Sequence, residues 1–189
     1  MGLFYKISSQ HLFKVKNEIF VKNGIPALQR NGFEESPFKG MRYGKLNANI
    51  YAYDLCRLAS NSRLEYITVY ISKGDSWINV FLNVFWLEPH LDSLKALKNL
   101  DGMQFHLPPN SISMMRLRID DFKGMPLFRT MAHKIKPFYS EKGFHKRVEE
   151  LSRLLELDLN NIDSFITRWY ELYVPMVTNW EGEKVEENK

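Results

Sequence analysis

One run, Leu64 to Trp86 (LEYITVYISKGDSWINVFLNVFW), constrains this chain more than any other stretch, because it alternates apolar and polar positions on both sides of Gly74-Asp75. Strict alternation sends successive side chains to opposite faces of a strand. A Gly-X pair between two such runs reads as a two-residue hairpin turn of type II′. With Lys73 opposite Ser76, Ile71 faces Ile78, Val69 faces Val80 and Ile67 faces Leu82, and all six are apolar. A slip of one residue would set polar side chains against that face, so turn and alternation agree on one register. The other face carries Tyr66, Thr68, Tyr70, Trp77, Asn79, Phe81, Asn83 and Phe85. Aromatics interleaved with amides suit a stacking platform for bases or sugars or the half-polar wall of a pocket. Burial beneath a helix, the ordinary fate of large aromatics, is the third reading.

Around the hairpin the pattern predicts a mixed fold. Ser9 is a plausible N-cap for a helix carrying Leu12, Val15, Ile19 and Phe20, which Pro26 kinks or restarts and Asn31-Gly32 stops. Glu34 to Asn47 reads as a turn-rich approach, and Ile50 to Leu58 as a strand with Tyr51, Tyr53 and Leu55 on one side. Asp92 or Ser93 can cap a short helix through Leu94, Leu97 and Leu100, and Ser111 to Ile119 reads as a fourth strand. The C-terminal third predicts helices from about Pro126 to Lys136, from Glu141 to about Leu157 with Phe144, Val148, Leu151 and Leu155 in one stripe, and from about Asn161 to Tyr173. The fold class is therefore α+β: a mainly antiparallel sheet of about four strands, with an N-terminal helix and C-terminal helices packed on it. Residues 1–180 form one domain in this reading, and the charged tail 181–189 is disordered.

Composition narrows the function classes. A single cysteine, Cys56, excludes an intrachain disulfide framework, and no Cys-x-x-Cys spacing offers a thiolate zinc site. No signal-type h-region and no run of about 18 apolar residues occurs. A cytoplasmic protein without membrane contact is the expectation. The formal net charge is +4, and removing the acidic tail leaves 24 basic and 18 acidic residues. The nearest approach to a basic stripe is Arg129 to Arg147, the weaker form of the footprint that nucleic-acid binders carry, so nucleic acid is not the expected partner.

The search for chemistry finds little. The five histidines have no metal-ligand spacing, so neither metal nor cofactor is expected; only His106, in FHLPP, stands near other candidates. Nucleophile elbow, phosphate loop and dinucleotide fingerprint are absent. On the fourth strand Arg116 and Arg118 share one face, a geometry suited to clamping an anion or carboxylate, with a surface salt-bridge ladder as its structural counterpart. Arg42-Tyr43 before the first strand, together with Tyr70 and Trp77 of the aromatic face, complete the candidate binding residues.

The helix ending in Asn31-Gly32-Phe33, the Arg42-Tyr43 pair, the alternating hairpin and the arginine-bearing strand before C-terminal helices resemble a class of small bacterial proteins classed as domains of unknown function. The resemblance implies an α+β fold and no established catalytic residues. The leading functional expectation is a cytoplasmic binding or protein-interaction protein without catalytic machinery, for which toxin-neutralising immunity proteins are one concrete form. Its partner would be a protein or a small anionic ligand. A small-molecule enzyme or sensor using the arginine clamp is the alternative, and nucleic-acid binding is the second alternative.

Overall fold

The computed structural model describes residues 5–38, 40–88, 90–99, 113–123, 133–179 and 183–185. The first helix, α1 (Ser9–Ile19), is capped one residue earlier than the spacing suggests: the Ser8 hydroxyl accepts from the His11 amide at 3.1 Å. It widens into a π turn over Phe20–Gly24 before α2 (Ile25–Arg30), whose first turn carries Pro26. Proline is tolerated there because its missing N–H would have no helical partner. Gly32, at φ 80°, ends the helix in the left-handed region.

Next come β1 (Glu34–Glu35), β2 (Tyr43–Asn47), β3 (Ile50–Ser60), β4 (Arg63–Ser72) and β5 (Ile78–Leu87). A single 3₁₀ segment, Leu94–Asn99, stands where the spacing predicts an α-helix. After it come β6 (Met115–Arg116), α3 (Glu141–Asn160), α4 (Ile162–Leu172) and β7 (Val177–Thr178). The fold is α+β, and the sheet has seven strands among the described residues rather than about four, in the order β1-β3-β4-β5-β6, with β2 also on β3 and β7 on β5. The extra strands are short, β1 and β7 having two residues each and β2 five. Two residues carry no readable period. All pairings are antiparallel except β5 with β7.

The hairpin register is the one the alternation requires: Ile67 pairs with Leu82, Val69 with Val80 and Ile71 with Ile78. Its turn differs. Gly74 lies outside the positive-φ region that a type II′ turn demands at that position, and the strands stop at Ser72 and restart at Ile78. The loop instead folds around the ammonium of Lys16 from α1, which donates to Ser72 O at 2.6 Å, Asp75 O at 2.7 Å, Asp75 Oδ1 at 3.1 Å and Trp77 O at 3.3 Å.

The strand expected over residues 111–119 is cut to Met115–Arg116, because the chain then turns: Arg118 takes φ 66°, and the amides of Ile119 and Asp120 both donate to Arg116 O. The helix expected over residues 126–136 falls partly outside the described residues. Its described end is extended: Lys134 bridges Trp77, and Ile135 N donates to Ser76 O.

Two apolar layers flank the sheet. On one side the four helices close over Tyr53, Leu55, Ile67, Val69, Ile71, Val80 and Leu82, with Phe13, Phe20, Leu28, Leu151, Leu155 and Trp169 filling the space between. On the other, Tyr66, Phe85 and Cys56 are covered by Phe38, Leu91 and Leu97. The aromatic face is thus buried at that end, under a loop and a 3₁₀ turn instead of a helix. Leu172, in the last turn of α4, is exposed.

Candidate binding site

The helix-covered face of β4 runs apolar through Ile71, Val69 and Ile67, then becomes charged at Glu65 and Arg63, which lie in the same phase. Arg57 of β3 is registered opposite Glu65. Helix α4 crosses above this end of the sheet, leaving a cleft of about 680 Å³ lined by Arg57, Leu58, Ala59, Arg63, Glu65, Asp163, Ile166, Thr167 and Tyr170. That volume lies within the range of small-molecule sites.

Glu65 is fully buried at the cleft floor. Arg57 Nε donates to its Oε2 at 2.6 Å, Arg57 Nη2 to Asp163 Oδ1 at 2.6 Å and Arg57 Nη1 to Asn31 O at 2.8 Å, while the guanidinium lies 4.8 Å from the centre of the Phe33 ring. Burial weighs against the Arg57 cation, but the hydrogen bonds to Asp163 and Glu65 outweigh it and hold the cation more firmly than in water. Arg57 is therefore a committed structural cation.

The other oxygen differs. Glu65 Oε1 lies 3.3 Å from Arg63 Nε, within ion-pair reach, yet neither buried atom makes a hydrogen bond, and the buried hydroxyl of Tyr170, which lines the same cleft, makes none either. Each such group costs about 1–3 kcal/mol when left unsatisfied, and three of them belong to residues that line this one cleft. Two arginines and two carboxylates make the cleft electrically balanced.

The residues expected from sequence fall elsewhere. Arg42 and Tyr70 do come together. The Arg42 side chain donates to both oxygens of the fully buried Asp54, at 2.8 and 3.1 Å, and also to the Tyr70 hydroxyl, while Thr68 Oγ1 donates to Asp54 Oδ1 at 3.0 Å. This network ties Arg42 onto β3 and β4. Tyr43 is 40% exposed on the short outer strand β2, its ring edge-on to Tyr53. Trp77 has the guanidinium of Arg116 and the ammonium of Lys134 each 4.9 Å from its ring centre.

Arg116 and Arg118 do not share a face. The turn after Arg116 directs Arg118 toward α3, where its Nε donates to Asp158 Oδ2 at 2.8 Å and its Nη2 to Asp158 Oδ1. His133 Nε2 is 2.8 Å from the same carboxylate, and both His133 and Asp158 are buried. The clamp is split because a buried carboxylate holds one of its two arms. His106 lies outside the described residues.

Glu65 and Arg57 carried a signal that the sequence reading left unused. Glu65 continues the phase of Ile67, Val69 and Ile71, and Arg57 that of Tyr51, Tyr53 and Leu55, so both charges belong to the face that must be buried. A smaller groove of about 290 Å³ lies between α1 and α3, beside Val15, Ile19 and Val148. Among the described residues no group of three or more histidines, cysteines or carboxylates could hold a metal ion, and no helix is long and apolar enough to cross a membrane. Comparison of the chain with family models, with curated proteins and with solved structures gave no match in any of the three.

Proposed function

We propose that the protein is a binding protein, acting by recognition rather than by covalent chemistry, and that its ligand enters the cleft between β3–β4 and α4. One observation carries this reading: a fully buried carboxylate, Glu65, lines a cleft of about 680 Å³, and its Oε1 accepts no hydrogen bond. A charge is taken out of water at a cost of several kcal/mol and is tolerated where partners are supplied. Arg57 supplies them at Oε2, Arg63 gives Oε1 an ion pair without a hydrogen bond, and a bound ligand supplies that hydrogen bond.

The test is a thermal-shift screen of small polar metabolites against the intact protein and against Thr167→Trp. Thr167 is an exposed residue on the cleft wall, so the larger ring fills the cleft without touching the core. A ligand that raises the melting temperature of the wild type but not of the plugged variant supports the proposal. If no metabolite shifts the wild type, or if every shift survives the plug, the cleft is not the site.

A second reading, recognition of a protein partner, draws on β2. This strand lies at the edge of the sheet and exposes Tyr43 and Leu46, the latter 52% accessible. An open edge can pair with an extended chain. In that case Leu46→Asp would abolish partner capture and Thr167→Trp would not.

A further inference from the structure

We infer that the ligand of this cleft is a zwitterion of the α-amino-acid class, its ammonium donating to Glu65 Oε1 and its carboxylate accepting from Arg63; this rests on the reading of the cleft as a binding site. Charge and geometry together carry this assignment. Arg57 is already bound to Glu65, Asp163 and the Asn31 carbonyl, so it offers an incoming anion little. A simple anion would also meet Glu65 and Asp163. A simple cation would find Glu65 Oε1 but add a third positive charge beside Arg57 and Arg63. A ligand with both charges leaves the balance as it is.

Geometry selects the arrangement of those charges. Glu65 Oε1 and Arg63 Nε form an ion pair at 3.3 Å without the geometry of a hydrogen bond, so a swing of Arg63 would uncover an adjacent acceptor and donor. An α-amino acid presents its ammonium and its carboxylate on one carbon, so it can satisfy adjacent acceptor and donor at once. The side chain of Arg63 is 39% exposed and so has room to swing from the carboxylate of Glu65 to that of the ligand, whereas Glu65, at 1%, is fixed. Leu58, Ala59 and Ile166 line the remaining space and suit an apolar side chain, and the unpartnered Tyr170 hydroxyl offers one further hydrogen bond.

The experiment is isothermal titration of the intact protein with L-phenylalanine and L-leucine, alongside phenethylamine, which lacks the carboxylate, and hydrocinnamate, which lacks the ammonium. At least one amino acid should bind, and loss of either charged group should weaken binding about ten-fold or more, the scale of one charge-assisted hydrogen bond. In Arg63→Ala, which alters an accessible side chain, the amino acid and its amine analogue should bind equally. Glu65→Gln should abolish binding; should it fail to fold, the Arg63→Ala comparison decides alone. If phenethylamine binds the wild type as tightly as L-phenylalanine, or if Arg63→Ala leaves the difference intact, the assignment is wrong. A metabolite of another class whose shift Thr167→Trp removes would overturn the amino-acid assignment and keep the cleft. Absence of any shift across the screen and both titrated amino acids would overturn both.

Discussion

Lys16 is fully buried, and its ammonium is wrapped by three backbone carbonyls of the β4–β5 loop and by the Asp75 carboxylate. Burial holds this ammonium below the ordinary lysine range, with the hydrogen bond and charge of Asp75 opposing the shift. The loop keeps its open form because a cation organises its carbonyls. Lys16→Met preserves the aliphatic stem but strands those acceptors, and should lower stability by about 3 kcal/mol in urea unfolding; an unchanged midpoint would show that the carbonyls are satisfied another way. Cys56 is the converse case, a group made inert by its surroundings. Burial pushes its thiol up to about 12. At about pH 8, where a free thiol is partly ionised, iodoacetamide should leave the native protein unlabelled and react fully in urea. Labelling of the folded protein within minutes would contradict that burial.

At the scale of elements, the junction between α1 and α2 depends on a missing methyl group. A Cβ on Gly24 would lie 2.4 Å from Phe20 Cδ2 and 3.3 Å from Leu159 Cδ1, and the Phe20 ring is fully buried. The π turn and α3 can approach only because position 24 has no side chain. Gly24→Ala should therefore destabilise by about 1–3 kcal/mol, despite the better helix propensity of alanine, because it overpacks a filled core. Thermal unfolding checks the sign: a rise in melting temperature would mean that propensity wins. Long elements were legible from their period, as in β4, β5 and the stripe of α3. The short strands on the outer edges of β3 and β5 were not, since they exist only where a longer strand offers free hydrogen-bonding groups.

At the scale of the whole molecule, Asp158 fastens three parts of the chain together: α3, the turn through Arg118 and the segment at His133. Burial alone would raise its carboxyl, but hydrogen bonds from Arg118 and His133 outweigh that and leave it below the usual aspartate value. A carboxyl depressed on folding contributes stability that is complete above the unfolded pKa, about 3.9, and is lost as pH falls through the lower folded value. Asp158→Asn should thus be less stable at neutral pH and show a shallower loss of stability below about pH 4. Parallel acid limbs for wild type and variant, followed by circular dichroism, would refute the linkage.

The sequence by itself determined the α+β class, the register of the central hairpin and which side chains form its apolar face, because these follow from alternation and helical spacing within one segment. It also placed Glu65 and Arg57 on that face. What it did not contain was which distant group would meet each charge. Arg118 and Asp158 are 40 positions apart, Lys16 and Asp75 59, and Arg57 and Asp163 106. Pairings of that kind are made when α1, α3 and α4 dock on the sheet, and no local pattern records them. Tertiary structure therefore split the arginine pair at residues 116 and 118, built the turn of the hairpin around a lysine from another element, and opened a charged cleft where the apolar face runs out under α4.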